Sequence, residues 1–89
     1  MKILFYRYNS ICEPDVISVL KRLGHEVSEI TDEMTDKTLT PGQQVRIVSA
    51  ALTGCVRYDL VFSINFFPVV SEVCNIVRVP YAGWIVDSP

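Results

Sequence analysis

Ile3-Leu4-Phe5-Tyr6, then Pro14 to Leu23, then Gly24-His25-Glu26-Val27 spell out one strand, one helix and the start of a second strand. Ile3 to Tyr6 is a continuous apolar and aromatic run, the pattern of a strand inside a parallel sheet covered on both faces. Past the polar Arg7-Tyr8-Asn9-Ser10, Pro14 suits a first helical turn, where its missing N–H costs nothing. Val16, Ile17, Val19, Leu20 and Leu23 follow at helical spacing and predict an apolar inner face. Lys21 and Arg22 complement the negative end of that helix, and Gly24 supplies a left-handed stop. The chain then resumes as a strand through Ile30. Strand, helix and strand with almost no loop between them form a right-handed parallel crossover.

The same grammar recurs along the rest of the chain. Thr40-Pro41 predicts an N-cap and a first-turn proline, and Val45, Val48, Ala51, Leu52 and Cys55 mark an apolar helix face that Gly54 ends. Leu60-Val61-Phe62-Ser63-Ile64 is a third strand. Pro68 opens a third helix with Val69, Val70, Val73, Cys74 and Val77 as its inner stripe, and Pro80 separates it from a last strand. Thr31 to Thr40 is polar and acidic without periodicity and predicts the longest loop. Strict alternation of strands and helices predicts an α/β fold, a three-layer Rossmann-like sandwich of about four parallel strands with helices on both faces. The strand order expected is 2-1-3-4, with residues 1–89 forming a single domain. In that order the first and third strands are neighbours, and the gap between their carboxyl ends is the switch point where ligands bind.

Composition bounds the possibilities. With 89 residues, 49% hydrophobic and 20% charged, the chain supports one globular core and no second. A net charge of -2 gives no general attraction to nucleic acid or anionic lipid, so neither is an expected partner. No stretch reaches the roughly 18 uninterrupted apolar residues that a membrane-spanning helix needs. Cys12, Cys55 and Cys74 are odd in number and lack C-x-x-C spacing, which suits reduced thiols and a cytoplasmic location.

Several common uses of such a sheet are excluded by what stands at the first turn. Gly24, Gly42, Gly54 and Gly83 make neither a G-x-G-x-x-G turn nor a P-loop, which argues against backbone cradling of phosphates. Arg7-Tyr8-Asn9-Ser10 also lacks the acidic residues with which a receiver domain holds its metal. His25 is the sole histidine and falls at a helix-to-strand junction on the edge away from the switch point, where a solvent-facing or capping role is expected. No metal site is expected. Cys12 precedes a helix, but Ser18 stands where the arginine of a Cys-x5-Arg phosphate loop would fall.

The polar strand ends remain. Asn9 and Ser10 follow the first strand, Ser63, Asn65 and Phe66 the third, and Asp87 and Ser88 the fourth, all on one expected rim. Each has a structural explanation: Asn65 can shape a turn, Phe66 can be core, and Asp87 can cap a following helix. Together, hydroxyl, amide and carboxylate groups suit recognition of hydroxyl-rich molecules, carbohydrate first among them.

Tyr58-Asp59-Leu60-Val61-Phe62-Ser63-Ile64-Asn65-Phe66-Phe67-Pro68, then Cys74, then Pro80-Tyr81-Ala82-Gly83-Trp84-Ile85-Val86-Asp87-Ser88-Pro89 resembles the N-terminal region of bacterial glycosyltransferases of the spore-maturation, spore-coat related type. The opening strand, helix and Gly24-His25-Glu26-Val27 are similar to the start of two-domain GT-B transferases generally. Members of that family are several times longer. The resemblance implies the front part of an N-terminal, acceptor-side domain whose partner is a C-terminal domain that grips a nucleotide-sugar donor. It implies no cofactor in this chain and transfer without a bound metal, to a glycan or another hydroxyl-bearing acceptor. It also implies that this portion alone is inactive. Asp87 is then the residue expected to orient or deprotonate the acceptor hydroxyl, with Asn9, Ser63 and Asn65 as hydrogen-bonding neighbours. Arg7-Tyr8-Asn9-Ser10 departs from the glycine-rich turn that many GT-B enzymes carry after the first strand. The alternative is a stand-alone, non-catalytic Rossmann-like binding or regulatory module. An open edge strand could also pair two chains as a dimer.

Overall fold

The computed structural model describes residues 1–35 and 39–84. Four strands, β1 (Lys2–Tyr6), β2 (Glu26–Ile30), β3 (Leu60–Ile64) and β4 (Tyr81–Trp84), form one parallel sheet in the order β2-β1-β3-β4. The expected order is therefore observed. Tyr6 pairs with Ile30, Phe5 with Phe62 and Ile64 with Trp84, so β1 and β3 occupy the middle of the sheet with their carboxyl ends side by side. Helices α1 (Glu13–Arg22), α3 (Pro41–Leu52) and α4 (Pro68–Val77) make the outer layers, and a four-residue helix, α2 (Asp32–Thr35), follows β2.

Alternation along β1 and β3 divides the core into two. Leu4, Tyr6 and Val61 join Val48 of α3 and Val70, Val73 and Cys74 of α4 on one face. Phe5 and Ile64 meet Ile17 of α1 on the other, with Phe5 and Phe62 in ring contact at 5.4 Å between centroids. Each such buried side chain contributes about 1.5–3 kcal/mol relative to its exposed state. No helix among the described residues is long and apolar enough to cross a membrane.

Local signals place the helix ends. Thr40 makes a full capping box: its hydroxyl accepts from the Gln43 backbone N–H at 3.2 Å, and the Gln43 side chain accepts from the Thr40 N–H at 2.8 Å. Proline occupies the first turn of α1, α3 and α4. Gly24 ends the first crossover at φ +94°, a backbone region that costs glycine nothing.

Four expectations are corrected. The stretch Thr31 to Thr40 is not loop throughout, because α2 forms within it. The apolar stripe of α1 is narrower than the spacing suggests: Ile17 is buried, but Val19 and Leu23 are 49% and 68% exposed, because only one side of the helix touches the sheet. In α3, Ile47 packs on the core in place of the exposed Val45, and Cys55 lies exposed beyond the helix end at Leu52. Finally, not all strands are covered on both faces. β2 and β4 are the sheet edges, and most of their residues retain exposure.

Candidate functional site

The turn that leaves β1 is organised by a carboxylate. Glu13, at the start of α1, has no exposed surface, and its oxygens accept the backbone N–H groups of Tyr8 at 2.8 Å and Asn9 at 2.9 Å. Arg7 completes the cage, with Nε 3.2 Å from Glu13 and Nη1 2.7 Å from Glu29 on β2. The hydrogen bond to Glu29, and secondarily that to Glu13, holds the Arg7 guanidinium above its usual value against the opposing effect of burial. A buried carboxylate is stable only when its lone pairs are filled in this way. The outcome is a rigid turn that lifts Asn9 to the surface at φ 72°, a left-handed conformation that asparagine tolerates better than most residues.

The turn that leaves β3 is built from a relay of hydroxyls. Ser63 Oγ donates to the Asn65 carbonyl at 2.7 Å and lies 2.5 Å from the Tyr81 hydroxyl, which in turn accepts the Phe67 N–H at 3.1 Å. Since the Ser63 proton is spent on Asn65, the proton between the two hydroxyls belongs to Tyr81. Burial pushes the Tyr81 hydroxyl up, which keeps that proton in place. Asn65 also adopts the left-handed region, at φ 66°, and its side-chain amide donates across the switch point to the Tyr8 hydroxyl at 2.7 Å. Phe67 braces the same crossing, edge-on to Tyr6 and Tyr8 at 5.0 and 5.4 Å. Gly83 lets β4 pass beneath, since a Cβ there would stand 3.2 Å from the Asn65 carbonyl oxygen and 3.5 Å from Phe66 Cα.

A third group closes the rim. The Tyr6 hydroxyl donates to Glu33 of α2, whose two oxygens also lie 3.3 Å from the Gln44 side-chain amide of α3. Burial first, and Glu33 second, pushes the Tyr6 hydroxyl well above the usual phenol range. This ties α2 and α3 to the end of β1.

The structure brings Asn9, Ser10, Ser63, Asn65 and Phe66 to the turns after β1 and β3, and their contributions differ. Asn9 is exposed, and its carboxamide makes no hydrogen bond with another described residue. Ser10 is partly exposed, with its carbonyl accepting the Glu13 N–H at 3.2 Å. Phe66 is 51% exposed and rests on Tyr81 with ring centroids 5.6 Å apart. Ser63 is fully buried with its hydroxyl spent internally, so what it supplies here is bracing rather than surface. Asn65 likewise has its amide committed to Tyr8. Asp87 and Ser88 lie outside the described residues. His25, at the opposite end of the sheet, has Nδ1 3.2 Å from the N-terminal amine, where a solvent-facing or capping role is expected.

Glu13, Glu33 and Tyr81 were missed. For Glu13 the available signal was an acidic residue in a first helical turn six positions from an arginine, which reads equally well as a helix-dipole partner. Four clefts of the described surface, of about 460, 320, 330 and 320 Å³, are lined by residues other than Asn9, Ser10, Asn65 and Phe66. Asn9, Ser10 and Phe66 form a surface ledge at this rim. No family model, curated protein or solved structure matches the chain.

Proposed function

We propose that the chain is the N-terminal, acceptor-side domain of a glycosyltransferase that moves a sugar from a nucleotide-sugar donor to a hydroxyl-bearing acceptor. The observation that carries the reading is the ledge at the carboxyl ends of β1 and β3. There an uncommitted Asn9 carboxamide, the Ser10 hydroxyl and the exposed Phe66 ring stand on turns held rigid by Glu13 and by the Ser63–Tyr81 pair. An amide offers both donors and acceptors to sugar hydroxyls, and an aromatic face suits the apolar face of a sugar ring. A rigid turn reduces the ordering that binding has to impose.

The described carboxylates of these turns, Glu13 and Glu33, are engaged by internal donors. In this reading the base that takes the acceptor proton is Asp87, which follows β4 in the sequence. The nucleotide-sugar binds a second domain beyond these 89 residues, which also supplies the positive groups for the leaving diphosphate. An open ledge suits one wall of an interdomain cleft.

The test is to express the complete reading frame and assay it against a panel of nucleotide sugars for hydrolysis, transfer and thermal stabilisation. Asp87→Asn should remove turnover while leaving the fold and donor binding intact, and Asn9→Ala with Phe66→Ala should raise the acceptor KM. A frame that stops at Pro89, or a full-length protein unresponsive to every donor, would instead uphold the stand-alone binding module.

A further inference from the structure

At the amino end of the sheet, opposite the ledge, the loop before β3 and the turn before β4 enclose a cleft of about 330 Å³. Leu52, Tyr58, Val77 and Val79 are its apolar lining residues, and Arg57, Arg78 and Asp59 its charged ones. Both arginines are exposed, and neither guanidinium forms an ion pair or hydrogen bond with another described residue. Asp59 differs, because one of its oxygens accepts the Lys2 N–H at 2.8 Å. The lining thus carries two uncommitted guanidinium groups against one partly committed carboxylate.

Arg78 adds an independent observation. It caps the C-terminus of α4 in the left-handed region, at φ 61° and ψ 43°, where glycine or asparagine is the ordinary choice. A side chain there is strained, and strain of this kind is a pointer toward function. The conformation needs no guanidinium, since the backbone N–H of Arg78 and that of Val79 already bond to the Cys74 carbonyl. The negative end of the α4 dipole opposes an anion at this place, so the two guanidinium groups have to outweigh it.

We propose that this cleft binds a small organic phosphate, its phosphate held by Arg57 and Arg78 and its apolar or ring-shaped body lying on Leu52, Tyr58, Val77 and Val79. Arginine suits the role through the flat, forked donor set that matches phosphate oxygens. The volume lies in the range of small-ligand sites. The site is independent of the glycosyltransferase reading, because it shares no residue with the ledge.

The probe is phenyl phosphate, titrated into the ¹⁵N-labelled protein, with inorganic phosphate and benzyl alcohol in parallel. Saturable shifts at the amides of Asp59 and Val79 are expected, tightest for phenyl phosphate, weaker for inorganic phosphate, and absent for the neutral alcohol. Arg57→Ala and Arg78→Gly should each weaken binding at least tenfold. Arg78→Gly should also raise the thermal midpoint by about 4 °C, since glycine relieves the left-handed strain. No saturable shift, equal shifts with benzyl alcohol, or wild-type affinity in either variant would overturn the site. A lower midpoint for Arg78→Gly would overturn the argument from strain.

Discussion

Glu13 shows how one residue can be structural and site-defining at once. Its carboxylate is wholly buried and holds Arg7, the Tyr8 N–H and the Asn9 N–H, so removing it leaves a guanidinium and two amides without their acceptor. Glu13→Ala is expected to lower unfolding free energy by about 3–5 kcal/mol, the usual result of breaking a buried pair from one side. Urea unfolding monitored by circular dichroism measures it, and a loss below about 1 kcal/mol would contradict the cage. Cys74 sets a second expectation, in pH. It is 1% exposed, and burial pushes its thiol from 9.0 up to about 11. A folded pKa above the unfolded one gives stability that is complete below pH 9 and is lost as pH rises through about 11. The thiol's share is on the order of 2–3 kcal/mol. Tyr6 shifts in the same direction and adds to the alkaline loss. Urea midpoints collected from pH 8 to 11 should therefore fall, and the fall should be shallower in Cys74→Ala.

The elements begin and end where local chemistry says they should, and the capping box of α3 gives the cleanest measure of how much that contributes. Thr40→Ala deletes the hydroxyl that accepts the Gln43 N–H and leaves an orphan donor at the helix start. The expected cost is about 1 kcal/mol, or a fall of about 4–8 °C in the thermal midpoint of a domain this size. Thr40→Ser should recover most of it. The same local signals made the strands and the three long helices legible: the apolar runs of β1 and β3, the prolines at positions 14, 41 and 68, and Gly24 each act within a few residues. Strand order was also legible, since crossover handedness and short links leave few arrangements. What escaped depends on contacts across the fold. α2 forms in a polar stretch without periodicity, with Glu33 anchored to Tyr6 and Gln44 from other elements. Ser63 looked like a rim residue because it is polar, yet as the fourth residue of a central strand it faces the α3–α4 side and meets Tyr81. Glu13 gave no sign that its partners would be backbone amides. The turns after β1 and β3 were thus legible in position, while the division between bracing and exposed residues within them was not.

Across the whole molecule, the two faces of the sheet are covered unequally. α3 and α4 together bury the face that carries Leu4, Tyr6 and Val61, whereas among the described residues α1 is the one helix on the opposite face. One helix spans about 10 Å with its side chains, and four strands at about 4.8 Å spacing are wider than that. Among the described residues the β4 side of this face is open: Trp84 is 54% exposed and Val19 49% exposed, and both line a cleft of about 320 Å³ with Asp15, Val16 and Leu20. A contiguous apolar strip of this kind binds hydrophobic dyes even when the protein is fully folded. The folded chain is therefore expected to enhance anilinonaphthalene sulfonate fluorescence in native buffer, and Val19→Lys combined with Trp84→Lys should abolish most of that enhancement. Because neither side chain belongs to the buried core, far-UV circular dichroism and the urea midpoint should stay close to those of the parent. Dye binding that persists in the double variant at unchanged stability would place the accessible apolar surface elsewhere, and a collapse of the midpoint would mean that the strip carries packing energy its exposure conceals.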